Sequence, residues 1–268
     1  MADRGALQGT GDPSPVRVQG VEPALLAIHG FGGTPLEVRL VVEVAAALGL
    51  EAYAPLLPGH GTSAKDLART RYDDWLRAAE TAFDSVRGAS RRVVVIGLSL
   101  GSLLAAELTL RHPDEVCALG MLANATRLTS PFPALALRLV DRLHVPDFYV
   151  PKAGPDIGDP EARATHQTYG LQPVRAAIEV LRAGERIEAL LGGIRAPAFV
   201  AHGARDLVCP VANAERVAQK LGSADKTVVI LPRSHHIITR DYDREMLRRA
   251  LTDFVGRVAE RRPVAHTV

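Results

Sequence analysis

The chain has 268 residues, 47% of them hydrophobic, and its 32 basic residues nearly balance its 30 acidic ones. A chain of this length can bury one large core, so we expect one α/β domain, with or without an insertion. The formal net charge of +2 and the 4% of aromatic residues give no reason to expect a nucleic-acid partner.

The N-terminal residues up to about residue 14 are rich in Gly, Asp and Pro, which is typical of a flexible arm. They contain no apolar run like that of a signal peptide, and no segment reaches the roughly 18 apolar residues of a membrane span. The two cysteines, Cys117 and Cys209, lack metal-binding or Cys-x-x-Cys spacing, which favours a reduced and buried pair. We therefore expect a cytoplasmic protein that does not span a membrane.

Short apolar runs alternate with segments of helical spacing along most of the chain. The runs predicted to be strands are 24–28, 51–54, 93–96, 116–122, 198–201 and 227–231. Between the first two, apolar residues recur every four positions from Leu36 to Leu48, and Trp75, Ala79 and Ala82 repeat this pattern after the second. Such alternation predicts a mostly parallel, doubly covered sheet, with ligand sites at the carboxyl ends of its strands.

The alternation stops between about residues 124 and 194. This segment is rich in proline, has no β-rich run, and carries Leu135, Leu139 and Leu143 at helical spacing. We predict a small helical cap over residues 125–193, inserted into an α/β core of residues 15–124 and 194–268. The alternative is that the segment continues the α/β core.

The sequence VVVIGLSLGSLLAA, residues 93–106, places Ser99 between a β-branched run and an apolar helical segment. A strand that turns into a helix within a few residues strains the backbone of the turn residue and requires small neighbours, which Gly97 and Gly101 supply. Such a turn raises the Ser99 hydroxyl above the sheet and directs the following N–H groups toward a bound ligand. Ser99 is therefore a candidate nucleophile; the alternative is a structural Gly-Ser turn.

A serine nucleophile needs a base that removes its proton and an acid that orients the base. Asp206 follows the predicted strand 198–201, and His235 and His236 follow the predicted strand 227–231. These loops emerge at the same edge of the sheet as the serine turn, so the side chains can converge. Adjacent loop residues point in different directions, so only one of the two histidines can be the base. Other histidines are expected in ordinary positions: His112 and His144 in a solvated helix or turn, His166 and His266 at the surface, and His202 at a strand end.

The loop after the first predicted strand reads His29-Gly30-Phe31-Gly32-Gly33, and its glycines allow the backbone to approach a ligand closely. The N–H groups of Phe31 and Leu100 are the candidates for an oxyanion hole, which stabilises the negative charge of an acyl-transfer transition state. A phosphate-binding loop is the alternative. The loop lacks both the Lys-Ser/Thr pair of a P-loop and the glycine spacing of a dinucleotide site.

Six ordered motifs between about residues 24 and 254 make the chain resemble the α/β-hydrolase carboxylesterases and the related bacterial monoacylglycerol lipases. The motifs are HGFGG (29–33), PLLPGHGTSAKDL (55–67), YDDW (72–75), GLSLG (97–101), ARDLVCP (204–210) and SHHIITRD (234–241). The resemblance implies an α/β-hydrolase fold with a small helical cap over an acyl pocket. It also implies the site residues, which are Ser99 as nucleophile, Asp206 as acid, His236 as base, and the N–H groups of Phe31 and Leu100 as oxyanion hole.

Two positions depart from the family pattern. His235 stands where many relatives carry a glycine, directly before the implied base. Ser102 stands where many relatives carry a second glycine after the serine turn, and a hydroxyl there can alter the packing of that turn. The cap is the segment least similar to its relatives, so substrate preference does not follow from the resemblance.

The expected activity is hydrolysis of neutral carboxylic esters with short to medium acyl chains through an acyl-Ser99 intermediate. This reaction needs no metal and no organic cofactor, and the expected partner is a small-molecule ester. The candidates for the acyl pocket, which could equally form the core of the cap, are Leu128, Phe132, Leu135, Leu139 and Val145.

Other functions remain open from the sequence. A monoacylglycerol lipase would need polar groups for the glycerol, and Asn124 or Thr126 could supply them. Thioesterases and C–C bond hydrolases use the same machinery. A non-catalytic ligand-binding module on this fold has usually lost a triad residue, whereas this chain retains all three candidates.

Overall fold

A computed structural model describes residues 5–88, 92–129 and 148–261, together with residues 136, 139, 142 and 143. Its centre is a seven-stranded sheet with the strand order β11-β10-β6-β5-β3-β4-β2. The strands in chain order are β1 (Leu7–Gln8), β2 (Val16–Val18), β3 (Val21–Ile28), β4 (Leu50–Ala54), β5 (Val93–Leu98), β6 (Val116–Leu122), β7 (Tyr149–Pro151), β8 (Thr168–Tyr169), β9 (Leu171–Pro173), β10 (Ala198–Gly203) and β11 (Lys226–Leu231). Neighbouring strands of the sheet are parallel, except that β2 pairs antiparallel with β4 at one edge.

Helices cover both faces of this sheet. Those described are α1 (Arg39–Ala47), α2 (Ala64–Ala68), α3 (Tyr72–Arg87), α4 (Leu100–Arg111), α5 (Pro160–Thr165), α6 (Val174–Leu190), α7 (Ala212–Lys220) and α8 (Arg244–Glu260). Helices α1 and α8 pack on one face, and α3, α4 and α7 pack on the other. Within the described residues, none of the helices combines the length and apolar character that crossing a bilayer requires.

The central strands are apolar throughout because both of their faces are covered. All six residues of β5 are buried, and its side chains alternate between the two core layers: Val93 and Val95 pack toward α3 and α4, while Val94 and Ile96 pack toward α1 and α8. A strand that is buried on both sides reads as a continuous apolar run rather than an alternating one. This rigid centre fixes the positions of the loops at its carboxyl edge.

The predicted fold class, a mostly parallel and doubly covered α/β sheet, is confirmed. Each of the six predicted strands is present, and several extend one to three residues further than expected. The sheet also contains β2, for which no strand is predicted from the sequence. This strand has only three residues and lies at the exposed edge of the sheet, so it carries no apolar run.

The segment predicted as a helical cap contains more than helices. Its described residues form α5 and α6, and also β7, β8 and β9; β7 pairs with β9 in a separate two-stranded ladder. Strands of two or three residues are too short to produce a periodic pattern, which is why the sequence suggested helices alone. Of the three leucines that suggested a cap helix, Leu139 and Leu143 are exposed and Leu135 lies outside the described residues.

The N-terminal residues also differ from the expected flexible arm. Strand β1 pairs antiparallel with β8 of the insertion, and the carbonyl of Gly5 accepts a hydrogen bond from the Ala64 N–H at 2.8 Å. The side chain of Gln167 donates to the carbonyl of Gly11. Residues 5–11 are therefore held by tertiary contacts, which a composition rich in small and polar residues does not reveal.

Candidate active site

Ser99 occupies the sharp turn between β5 and α4, with φ 54° and ψ −116°. The positive φ of a non-glycine residue is a strained conformation that often marks a functional position. A Cβ atom at Gly97 would overlap the carbonyl of Gly101, and one at Gly101 would overlap the carbonyl of Ile28, so both positions require glycine. Ser102, one of the departures from the family pattern, fits this turn by donating its hydroxyl to the Ser99 carbonyl at 2.6 Å.

The three candidate triad residues lie in one hydrogen-bonded chain. Nε2 of His236 is 2.9 Å from Oγ of Ser99, and Nδ1 of His236 is 2.8 Å from Oδ2 of Asp206. The other carboxylate oxygen of Asp206 accepts the N–H groups of Val208 and Cys209, each at 2.8 Å. Ser99 lies 137 residues before His236, and Asp206 lies 30 residues before it, yet the three loops place a hydroxyl, an imidazole and a carboxylate in hydrogen-bonding order.

His235 points away from Ser99. Its Nδ1 is 3.3 Å from Oδ2 of Asp241, and its N–H donates to the same oxygen at 2.7 Å. The ring lies against Gly158, where a Cβ atom would come within 2.7 Å of the His235 Nδ1. Of the two adjacent histidines, His236 is therefore the one in contact with Ser99.

A second histidine also contacts the carboxylate of Asp206. His202 is fully buried at the end of β10, and its Nε2 is 3.0 Å from Oδ2 of Asp206. The sequence predicts His202 at a strand end, without this contact. Its position four residues before Asp206 was the available signal.

The charges of the site favour an ionised acid and a basic imidazole. Burial by itself raises the pKa of Asp206, but the charge of His236 and the hydrogen bonds from His202 and His236 lower that pKa by more. Burial lowers the pKa of His236, whereas the charge and hydrogen bond of Asp206 outweigh burial and leave it raised. Asp206 is consequently a carboxylate at neutral pH, and the imidazole of His236 accepts a proton more readily than a free histidine.

The glycine loop after β3 runs directly beside Ser99. A Cβ atom at Gly30 would lie 3.2 Å from the Cβ of Ser99, so the absence of a side chain permits this approach. Phe31 follows Gly30 and lines the same cavity as Ser99, while Leu100 is the first residue of α4. The two predicted oxyanion donors are therefore carried by the glycine loop beside Ser99 and by the first residue of the helix that follows it.

Buried Glu37 holds this glycine loop in place. Its Oε2 accepts the N–H of Gly30 at 2.8 Å, its Oε1 is 3.2 Å from Nε2 of His166, and its carbonyl accepts the hydroxyl of Thr239 at 2.5 Å. Burial favours the protonated acid, but the hydrogen bond and charge of His166 dominate and lower the pKa of Glu37 to about 2. His166 was expected at the surface and is instead buried, because the insertion folds it against this carboxylate. No spacing in the sequence indicated either contact.

A cavity of about 170 Å³ lies against Ser99. Its apolar wall is formed by side chains of the core and of α6, which include Leu98, Leu128, Ala177, Val180, Leu181 and Val208. Polar groups also line it, namely Glu37, Lys152, Asp156, His166 and Gln172. The cavity is thus mostly apolar with a few polar side chains, which is typical of sites for small organic ligands.

The predicted acyl-pocket residues divide into three groups. Leu128 lines the cavity, whereas Leu139 is 56% exposed and does not contribute to its described wall. Phe132, Leu135 and Val145 lie outside the described residues.

The proposed glycerol contacts are placed differently from expectation. Asn124 and Thr126 are both buried, and the Thr126 hydroxyl donates to the Asn124 side chain at 2.7 Å. Neither side chain is part of the described cavity wall.

The described residues also contain no group of three His, Cys, Asp or Glu side chains arranged to hold a metal ion.

The sequence of the chain is similar to those of known hydrolases. Residues 19–243 match the family model Hydrolase_4, described as serine aminopeptidase S33. The chain is 30% identical to a thermostable monoacylglycerol lipase of Bacillus sp. (strain H-257), over 88% of this chain and 91% of that protein. It is 22% identical to a carboxylesterase of Bacillus subtilis (strain 168), over 92% of this chain and 97% of that protein.

A similar solved structure comes from work on LipS and LipT, two metagenome-derived lipolytic enzymes. It has a TM-score of 0.84 and 27% sequence identity, and the match covers 93% of this chain and 100% of that chain. The family match spans the serine turn, the acid loop and the base loop in a single alignment. The chain therefore belongs to the Hydrolase_4 family of α/β-hydrolases.

Proposed function

We propose that the protein hydrolyses neutral carboxylic esters through an acyl intermediate on Ser99. The observation that carries this proposal is the hydrogen-bonded chain from Ser99 through His236 to Asp206 beside a mostly apolar cavity. A serine hydroxyl becomes an effective nucleophile only with such a base, and the base is effective only when a third group orients it.

The reaction proceeds in two halves. Oγ of Ser99 attacks the ester carbonyl carbon while Nε2 of His236 takes the hydroxyl proton, and the carbonyl electrons move to the oxygen. As the tetrahedral intermediate collapses, the C–O bond to the alcohol breaks and His236 returns the proton to the alcohol. Water then attacks the acyl-Ser99 ester with the same base, which releases the carboxylic acid and regenerates the hydroxyl.

Two fixed elements support this proton transfer. Asp206 accepts the Nδ1–H of His236, which leaves Nε2 free to accept the serine proton and stabilises the imidazolium that forms. The N–H groups of Phe31 and Leu100 are the proposed donors to the developing oxyanion. Each such donor is worth about 3 to 4 kcal/mol in the transition state.

The cavity supports short to medium acyl chains. An apolar cavity of about 150 Å³ holds a benzene ring, so about 170 Å³ accommodates an acyl chain of about six carbons. Part of its wall comes from α6 and from the loop around Lys152 and Asp156. We therefore propose that the described part of the insertion acts as a cap that shapes the substrate site.

Monoacylglycerols are a second candidate substrate class. The Bacillus relative named a monoacylglycerol lipase supports them, and so do the polar side chains that line the cavity. Lys152 and Gln172 would replace the expected Asn124 and Thr126 as groups near a glycerol moiety. Nζ of Lys152 is held by the Thr168 hydroxyl at 2.8 Å, so it is a fixed donor in this wall.

The central test is the Ser99→Ala variant, assayed with p-nitrophenyl butyrate and with a fluorophosphonate probe. We expect hydrolysis and covalent labelling to disappear while the circular dichroism spectrum stays unchanged. Ser85→Ala removes an exposed serine of α3 and serves as the matched control that keeps both signals. Full hydrolysis by Ser99→Ala would contradict the proposed mechanism.

A substrate panel separates the two ester classes. Purified protein is assayed with p-nitrophenyl esters of two to twelve carbons and with 1-monoacylglycerols of the same acyl chains. A higher kcat/KM for the monoacylglycerol of a given chain would favour the lipase activity, and a preference set by chain length alone would favour a general carboxylesterase.

A cytoplasmic location accompanies this proposal. Both cysteines are free in the structure, and Cys209 is buried beside the Asp206 loop, an arrangement compatible with a reducing compartment. Cell fractionation with antibody detection tests this location, which a predominantly extracellular signal would contradict.

A further inference from the structure

A loop of the insertion touches the backbone of both loops that carry the acid and the base. Oδ2 of Asp156 accepts the N–H of Leu207 at 2.9 Å and the N–H of His236 at 3.3 Å. The main-chain carbonyl of Asp156 accepts the N–H of Ile237 at 3.2 Å. One residue of the insertion therefore binds the residue after the acid, the base itself and the residue after the base.

A carboxylate of the core likewise binds backbone N–H groups of the insertion. The carboxylate of Asp241, which is fully buried, accepts the N–H groups of Gly158 and Asp159, each at 2.9 Å. Its Oδ2 also accepts the N–H of His235 at 2.7 Å. Asp156 of the insertion thus binds backbone of the core, and Asp241 of the core binds backbone of the insertion. The adjacent residues His235 and His236 donate their N–H groups to Asp241 and Asp156, respectively.

We propose that Asp156 is a positioning residue for the triad, an inference that rests on the proposed esterase function. Hydrogen bonds to an ionised carboxylate are about twice as strong as neutral ones. Asp156 forms such bonds with the N–H groups of Leu207 and His236. A displacement of either position would directly change the distances from His236 to Ser99 and to Asp206. A misplacement of about 1 Å between reacting groups can reduce the rate about 100-fold.

The charge of Asp156 has a second consequence, because the residue lines the same cavity as His236. The negative groups that face this imidazole are Asp206, Asp156 and Glu37, and each of them favours its protonated form. Lys152, in the same wall, is the opposing cation. When His236 accepts the proton of Ser99, Asp156 therefore stabilises the imidazolium and keeps its loop in place.

The test compares Asp156→Ala and Asp156→Asn with the wild type, using p-nitrophenyl acetate and octanoate. Asp156→Ala removes the acceptor, so we expect kcat to fall by about 10- to 100-fold for both esters with KM changing less than about threefold. Asp156→Asn keeps an oxygen that can accept the N–H groups, so it should recover most of kcat. The loss of charge in this variant should also move the acid limb of its pH–kcat/KM profile to lower pH.

Asp159→Asn is the matched control, since it changes a neighbouring carboxylate of the insertion that caps α5 and pairs with Arg244. Its kcat should stay within twofold of wild type. Thermal unfolding and circular dichroism show whether each variant is folded; if Asp156→Ala is not, the pH profile of Asp156→Asn still decides.

Three outcomes would overturn the assignment. They are an unchanged kcat in folded Asp156→Ala, a KM increase confined to octanoate, which would indicate a substrate-binding role, and an unshifted acid limb in Asp156→Asn. Failure of the proposed function would appear differently, as wild-type protein that neither hydrolyses any ester nor reacts with a fluorophosphonate.

Discussion

The carboxyl edge of the central sheet and the insertion both contribute to the cavity, but they are held in different ways. Ser99, Asp206 and His236 follow strands of six residues each, whose pairing in the sheet fixes where the loops begin. The described part of the insertion has ladders of two or three residue pairs, and side chains such as Asp156 and His166 join it to the core. In the proposed function, the core edge therefore carries the reaction and the insertion contributes to the selection of substrates.

The largest expected effect lies in the core. Asp206→Asn places an amide opposite Nδ1 of His236 and favours the wrong imidazole tautomer, so we expect kcat to fall about 10⁴-fold. Asp253→Asn, on the exposed face of α8, is the matched control. The assay is p-nitrophenyl butyrate hydrolysis by folded protein. A loss of less than tenfold would mean that the core edge does not determine the chemistry as described.

The next effect concerns a contact between the two regions. Glu37→Ala removes the acceptor of the Gly30 N–H and the partner of His166. The glycine loop after β3 then loses the side chain that holds it and links it to the insertion. We expect kcat to fall about 100-fold, similar to the loss of an oxyanion donor. Glu37→Gln retains an acceptor and should recover much of this loss. Equal activities of the two variants would show that the loop does not depend on Glu37.

A smaller and selective effect is expected in the insertion. Leu181→Trp enlarges a cavity-lining side chain of α6, so kcat/KM for octanoate should fall about tenfold while that for acetate stays nearly constant. Leu190→Trp makes the same change at a position of α6 that is 46% exposed and should leave the chain-length profile unaltered. Equal losses for both esters in Leu181→Trp would mean that the insertion also controls the chemical step.

The smallest effect is a displacement of the pH profile. The charge of Asp206 raises the pKa of His236 despite burial, so the imidazole stays protonated above its ordinary pKa of about 6.5. Because the base works only when neutral, kcat/KM should decline as pH falls through a value above 6.5. A profile of kcat/KM between pH 5 and 9 measures this limb. A midpoint well below 6.5 would contradict the assigned electrostatics.

The fold and the proximity of Ser99, Asp206 and His236 were predictable from the sequence because each depends on local pattern or on chain order. The strand before Ser99 is a continuous apolar run, and the small residues around it mark the turn. The choice of His236 over His235 came from the family resemblance, because a sequence pattern does not distinguish two adjacent residues of a loop.

The contacts that support the site could not be predicted in this way. Glu37 meets His166 across 129 positions of sequence, and Asp156 meets His236 across 80. Neither pair has a spacing rule, because a buried carboxylate is recognised only by what folds against it. The same limit explains why His166 was assigned to the surface and residues 5–11 to a flexible arm.

The pairing of β1 with β8 bears on how this architecture can be recombined. An exchange of residues 125–193 with the corresponding segment of another hydrolase would separate Thr168–Tyr169 from Leu7–Gln8 and leave both stretches of backbone without their partners. A transplanted substrate-selecting segment would therefore need its own N-terminal strand. Chimeras that also exchange residues 5–11 should fold more readily than those that exchange the insertion alone.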